Sequence, residues 1–134
     1  FTAPTVLVAV PAEQAAVLLA GAAPSLAALA ASVDSAPCWA VMAGFAQALP
    51  CSGDTFRAES GPISWAARNS AKPGRAGTET WVIHASPQRS RELLNWPKEA
   101  AAGALLANFF AATGIAPVDP QHLDAHRWLY ALPQ

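Results

Sequence analysis

Charge and glycine-rich loops are both scarce in this chain, and each shortage removes a class of function. Only 13% of the 134 residues are Asp, Glu, Lys or Arg, and the formal net charge is −1. A nucleic-acid-binding face needs a concentrated basic footprint, which that balance does not supply. Neither GxGxxG nor GxxxxGKS/T occurs, so no loop here can cradle a nucleotide's phosphates with backbone N–H groups. The nucleophile elbow GxSxG is missing too, which removes the commonest hydrolase arrangement. Cys38 and Cys51 are the only cysteines, without CxxC spacing or a nearby histidine. They read as reduced packing thiols, too few for a zinc site, and a cytoplasmic location is expected. No apolar run reaches the roughly 20 residues of a membrane span. The nearest, AAVLLAGAAPSLAALAA, is broken by Gly21 and Pro24. No internal repeat appears, so a solenoid is excluded as well.

What is present is apolar. Hydrophobic residues make up 53% of the chain, enough to bury a core, and the length suits one domain spanning residues 1–134. The sequence opens at Phe1 and runs almost at once into a strand-like stretch, so it is expected to be a piece of something longer.

Hydrophobic periodicity divides the chain as follows. TVLVAVP (Thr5 to Pro11) is apolar and β-branched on consecutive positions, as in a strand buried on both faces. AEQAAVLLAG follows as a helix that stops at Gly21, and a second helix starts at Pro24 and runs to about Val33. Ala36 to Gln47, with Trp39, Val41 and Phe45, reads as a strand, with helix as the alternative. TFRAES is a short strand after a turn at Pro50, Gly53 and Asp54. In the next strand Ile63, Trp65 and Ala67 fall on one side, and Ser64, Ala66 and Arg68 on the other. SAKPGRAG turns the chain, and ETWVIHAS returns to close an antiparallel hairpin. SPQRSRELLNW is helical or irregular. KEAAAGALLANFFAATG is a clear helix, striped by Leu105, Leu106, Phe109 and Phe110 and ended at Gly114. The last segment begins as loop and becomes a strand from Arg127 to Leu132. The order β-α-α-β-β-β-β-α-β predicts an α+β fold, a mostly antiparallel sheet with helices packed on one face.

Polar residues on tryptophan-rich strands are the remaining candidates for chemistry. Arg68 and Asn69 lie where a strand becomes a turn, His84 lies mid-strand in WVIHASP, and Trp128 sits in HRWLYA. Taken singly, each also fits a packing or solvated role.

Four stretches change their meaning together: TVLVAVPAEQAAVLL, APCWAVMAGF, the pair ISWAARNSAKPGR and ETWVIHASPQRSRE, and AHRWLYALP. Their order and content resemble the bacterial renalase-like flavoproteins, relatives of the FAD-dependent amine oxidases, from about Thr5 to Pro133. The resemblance implies the middle of such an enzyme, a substrate-binding domain that covers a flavin held by flanking segments. FAD would belong to the intact protein, and this chain alone would be colourless and inactive. The implied reaction oxidises dihydronicotinamide dinucleotide isomers, with hydride passed to FAD and electrons to oxygen to give hydrogen peroxide. It makes Trp128 a pocket wall and places Arg68, Asn69 and His84 on the substrate side, the first two pointing from a strand end into a shared cleft. Lys72 and Arg75 would contact substrate phosphates or simply flank a solvated turn. The partner is then a small nicotinamide-type molecule rather than nucleic acid or membrane, and self-association is expected where apolar surface is left bare. Two rival readings stand beside it: a non-catalytic ligand-binding or interaction domain, and a flavin amine oxidase acting on an amine or a polyene.

Overall fold

In the computed structural model, which describes residues 3–75 and 77–134, the chain divides into two units. The N-terminal residues through Ala36 group with Leu129–Gln134, and Pro37–Trp128 form the larger unit.

Helices α1 (Ala12–Leu19) and α2 (Pro24–Ala31) of the first unit pack on each other. Pro24 stands in the first turn of α2, where its missing N–H has no helical partner to lose. The pair buries little: α1 buries no residue, and α2 only Ala27. Val17, Leu18, Leu26 and Leu29 stay exposed. The strand expected over Thr5 to Pro11 does not form; the stretch is irregular and Leu7 is 91% exposed. A strand is held by the amides of a neighbour, and no strand among the described residues pairs with this one. At the other end, the Gln134 N–H donates to the Asp34 carbonyl at 2.9 Å and joins the two segments of the unit.

An antiparallel sheet organises the larger unit. Its strands are β1 (Ser35–Phe45), β2 (Thr55–Arg57), β3 (Ile63–Arg68), β4 (Glu79–Ala85) and β5 (His122–Pro133), in the spatial order β2-β3-β4-β1-β5. β1, where helix was the alternative, is a strand, and β3 and β4 make the expected antiparallel pair. β5 begins at His122, five residues before the expected Arg127, and the Gln121 N–H donates to Gly44 at the far end of β1. Together with helices α3 (Pro87–Glu92) and α4 (Lys98–Thr113), this is the α+β architecture read from the sequence.

One face of the sheet is sealed by α4. Trp39, Val41, Ala43 and Phe45 from β1, with Trp81, Ile83 and Ala85 from β4, meet Ala101, Leu105, Leu106, Phe109 and Phe110 in one core. Trp81 and Phe109 approach to 5.2 Å between ring centroids, and Phe45 meets Phe110 edge-on at 6.2 Å. Gly114 ends α4 in a left-handed conformation (φ 70°) that a side chain would strain. α3 is fixed to β1 twice. The buried Ser90 hydroxyl accepts the Trp39 backbone N–H at 3.1 Å, and the Trp39 indole donates to the Leu93 carbonyl at 3.2 Å.

The faces of β3 are not those that simple alternation predicts. Ile63 pairs with Ala85 and Trp65 with His84, so Ser64 is an extra residue, a β-bulge. Its hydroxyl donates to the Ala85 carbonyl at 3.2 Å. Beyond the bulge the parity switches. Ala66 joins Ile63 on the α4 side, and Trp65 is turned to the opposite face instead of sharing that of Ile63.

Phe109 is fully buried between Trp81 and Phe110. Phe109→Ala should lower unfolding free energy in urea by about 3–5 kcal/mol, with the denaturant slope unchanged.

Candidate functional site

The face of the sheet away from α4 carries the candidate site. Along β4, Glu79, Trp81, Ile83 and Ala85 are buried while Thr80, Val82 and His84 are half-buried, so the second set forms this second face. In β5, Leu123 and Ala125 pack with the core and Arg127 lies over the Trp39 ring. Strand alternation then sets His122, Asp124, His126 and Trp128 on the second face of this edge strand, although Asp124 also pairs with Lys98 of α4.

Arg68, expected to point into a substrate cleft, is spent inside the fold. The bulge puts it on the α4 side, opposite Trp81, with its guanidinium 5.1 Å from the indole centroid. Its Nε donates to Glu79 Oε1 at 3.0 Å, one terminal nitrogen to Asp54 Oδ1 at 2.8 Å, and the other to the Leu49 carbonyl at 3.0 Å. Glu79 is the centre of this cluster. It also accepts from the Trp81 indole at 2.7 Å, the Leu49 backbone N–H at 3.2 Å and the Ser70 hydroxyl at 3.2 Å. Burial pushes the Glu79 carboxyl up, but the Trp81 and Leu49 donors and the Arg68 charge hold it below the ordinary carboxylate value.

Asn69 opens a short 3-10 turn (Asn69–Ala71) directly after Arg68, so the cluster fixes the backbone from which its amide projects. Asn69 lines a hollow of about 340 Å³ on the second face. Met42, Gly44, Thr80, Val82 and His122 form most of the rest of it. Among the described residues, no Asp, Glu, Lys or Arg lines it. Gly44 leaves its floor open: a Cβ there would stand 3.6 Å from the His122 Cβ and 3.9 Å from a Thr80 methyl.

His84 lies one alternate position along β4 from Val82, its ring tilted against Trp65 with centroids 4.9 Å apart. Burial lowers its pKa, so the imidazole is neutral at neutral pH. Trp128 is 57% exposed, with the His126 ring edge-on at 4.5 Å. Lys72 and Arg75 are exposed on the turn beyond Asn69. Asn69, His84 and Trp128 thus share one face without meeting in one hollow, while Arg68 faces the other way. Both cysteines are free, and burial raises the Cys38 thiol to about 11, leaving it protonated.

Sequence reasoning missed Met42, Gly44, Thr80, Val82 and His122. The signal for the first four was present, since they occupy alternate positions of two segments read as strands, one with helix as its alternative, but their adjacency depends on the β1–β4 register. The arrangement can hold a flat ligand between apolar groups and neutral hydrogen-bonding groups. It offers no carboxylate pair for acid–base work.

No family model matches the sequence. Among solved structures, the chain is similar to the crystal structure of a protein from Exiguobacterium sp. 255-15 described as "Putative protoporphyrinogen oxidase". The TM-score is 0.70 at 20% identity, over 92% of this chain. The chain spans 28% of that protein's length. At that identity the likeness shows a shared fold. No helix among the described residues is long and apolar enough to cross a membrane.

The Glu79 cluster predicts an acid-dependent stability. The folded-state pKa is depressed, so its contribution is complete above the ordinary carboxylate range and is lost as pH falls through the folded value. Glu79→Ala should cost on the order of 3 kcal/mol at neutral pH, because it strands Arg68 and two buried N–H donors. Glu79→Gln should flatten the acid limb of the stability curve; an unchanged limb would remove Glu79 as its source. His84 should titrate below the ordinary histidine value in an NMR pH series, as its burial requires.

Proposed function

We propose that this chain is the substrate-side domain of a longer FAD-dependent oxidase, with the second face of its sheet turned toward the flavin and the substrate. The observation that carries the reading is a sheet sealed by α4 on one face, with a neutral hollow and aromatic groups on the other, in a fold shared over 92% of the chain with a protein described as an oxidase. The resemblance to renalase-like flavoproteins, read from the sequence, agrees in direction and adds the cofactor. The residues suit covering the flavin ring and not cradling the phosphates of FAD, since the chain has no glycine-rich loop and its hollow has no charged lining among the described residues. When bound, the flavin supplies hydride acceptance and the passage of electrons to oxygen with release of hydrogen peroxide.

The chain's own residues then position and shield. A dihydronicotinamide ring is flat and uncharged, which suits a hollow of Met42, Val82 and Thr80 over the bare Cα of Gly44. The Asn69 amide can pair with a carboxamide substituent. Trp128 offers a flat wall, and neutral His84 a hydrogen bond without a charge. Arg68 acts through Glu79, holding the turn that presents Asn69. Exclusion of water by the aromatic groups strengthens each of these polar contacts.

In the longer, FAD-loaded protein, dihydronicotinamide isomers should bleach the flavin in stopped-flow measurements while simple amines leave it yellow. Gly44→Val and Asn69→Ala should each slow that reduction about tenfold or more without moving the unfolding midpoint. Bleaching by amines alone would transfer the reading to an amine oxidase, and a longer protein that holds no flavin would end it. The chain by itself should be colourless and should self-associate through Val17, Leu18, Leu26 and Leu29, which light scattering reads directly.

A further inference from the structure

The neutral hollow leaves one requirement of the proposed substrate class unmet. A nicotinamide-type ligand carries anionic groups; Lys72 and Arg75 stand exposed on the turn beyond Asn69, and four other cations are engaged. Arg68 is bound to Glu79, Asp54 and Leu49 on the α4 side. Arg127 lies over Trp39 and donates to the Leu94 carbonyl, Lys98 pairs with Asp124, and Arg89 pairs with Glu92.

The register of the edge strand supplies another. β2 pairs with β3 so that Thr55 faces Ala67, Phe56 faces Ala66, and Arg57 faces Trp65. Phe56 and Ala66 pack on the core side. Directly opposed residues of an antiparallel pair share a face, so Arg57 stands with Trp65 on the second face. Trp65 in turn pairs with His84, and His84 with Ala40. Arg57, Trp65 and His84 therefore form one row across three strands. The adjoining row of β4 and β1 is Val82 with Met42, and beyond it lies Thr80 with Gly44, both within the hollow. Arg57 is exposed, and among the described residues it forms no ion pair.

We propose that Arg57 is an anion-binding residue of this face, taking an oxyanion carried by a ligand whose flat, uncharged ring sits in the hollow. Two strand spacings across the sheet and at least one alternate step along β4 separate the backbone of Arg57 from the hollow, about 12 Å or more, part of which the arginine side chain spans. Trp65 covers the intervening stretch, and the planar guanidinium grips two oxygens at once. The proposal rests on the reading of this face as substrate-side and adds where the charge of the substrate is held. Arg57 is a binding residue, remote from the hydride-bearing ring.

The chain contains a single methionine, and Met42 lines the hollow, so a methyl-labelled sample gives one reporter signal there. Reduced nicotinamide mononucleotide and reduced nicotinamide riboside share the ring and differ by one phosphate. Both should shift the Met42 methyl signal, with the mononucleotide bound about tenfold tighter. Arg57→Gln should bring the two affinities together, and Arg57→Lys should restore part of the gap. Equal affinities for the two compounds in the unaltered chain, or a gap that survives Arg57→Gln, would overturn the assignment while leaving the hollow as the ring site. If neither compound shifts Met42, the nicotinamide reading falls with it, and Arg57 with that reading. Since Arg57 is exposed, its variants should keep the unfolding midpoint of the parent chain.

Discussion

One extra residue in β3 determines what each face of the sheet carries. Without Ser64 as a bulge, Trp65 would follow Ile63 into the core and Arg68 would stand on the other side. With it, the sheet places a guanidinium against Trp81 and within reach of Glu79, and turns an indole outward beside His84. The bulge is held by a hydroxyl that reaches the Ala85 carbonyl, so a small local contact fixes a global assignment of faces. Glu79 then makes the arrangement hard to reverse, since its carboxylate gathers four donors from β3, β4, the 3-10 turn and the chain at Leu49.

The consequence is a division of labour between charge and shape. The strongest ionic contacts lie on the α4 side and at the sheet's end, where they fix geometry. The hollow is left to neutral groups, and a neutral site favours a neutral ring, because an unpaired charge brought there would lose its hydration without a partner. Whatever charge the ligand carries must be met at a distance, and the row through Trp65 to Arg57 provides that distance. Recognition in two places also gives orientation, since a ring held only by apolar contact can rotate in its seat.

The parts of the fold set by pattern were legible in the sequence. Alternating large apolar residues gave β1 and β4, a helical stripe closed by Gly114 gave α4, and Pro and Gly marked the turns between. The bulge was not legible, because Ile-Ser-Trp-Ala-Ala-Arg alternates plausibly in either parity, and only pairing with β4 distinguishes them. Thr5 to Pro11 read as a buried strand on composition alone, yet a strand forms only where another strand meets it. The first half of β5 was read as loop because His122, Asp124 and His126 lack strand propensity, and its place beside β1 overrides that preference. For the site, three singled-out residues share a face, but the hollow itself comes from the register of strands distant in sequence. Arg57 escaped notice for the same reason: nothing near it in the chain reveals that it stands opposite Trp65.

The proposed role of every residue on the second face depends on which face of this sheet looks toward the cofactor. A crystal structure of the longer protein with FAD bound tests that directly. The isoalloxazine ring should lie in van der Waals contact with the face bearing Met42, Val82, His84 and Trp128. A ring seated against the outer side of α4, or touching no residue of this chain, would contradict it.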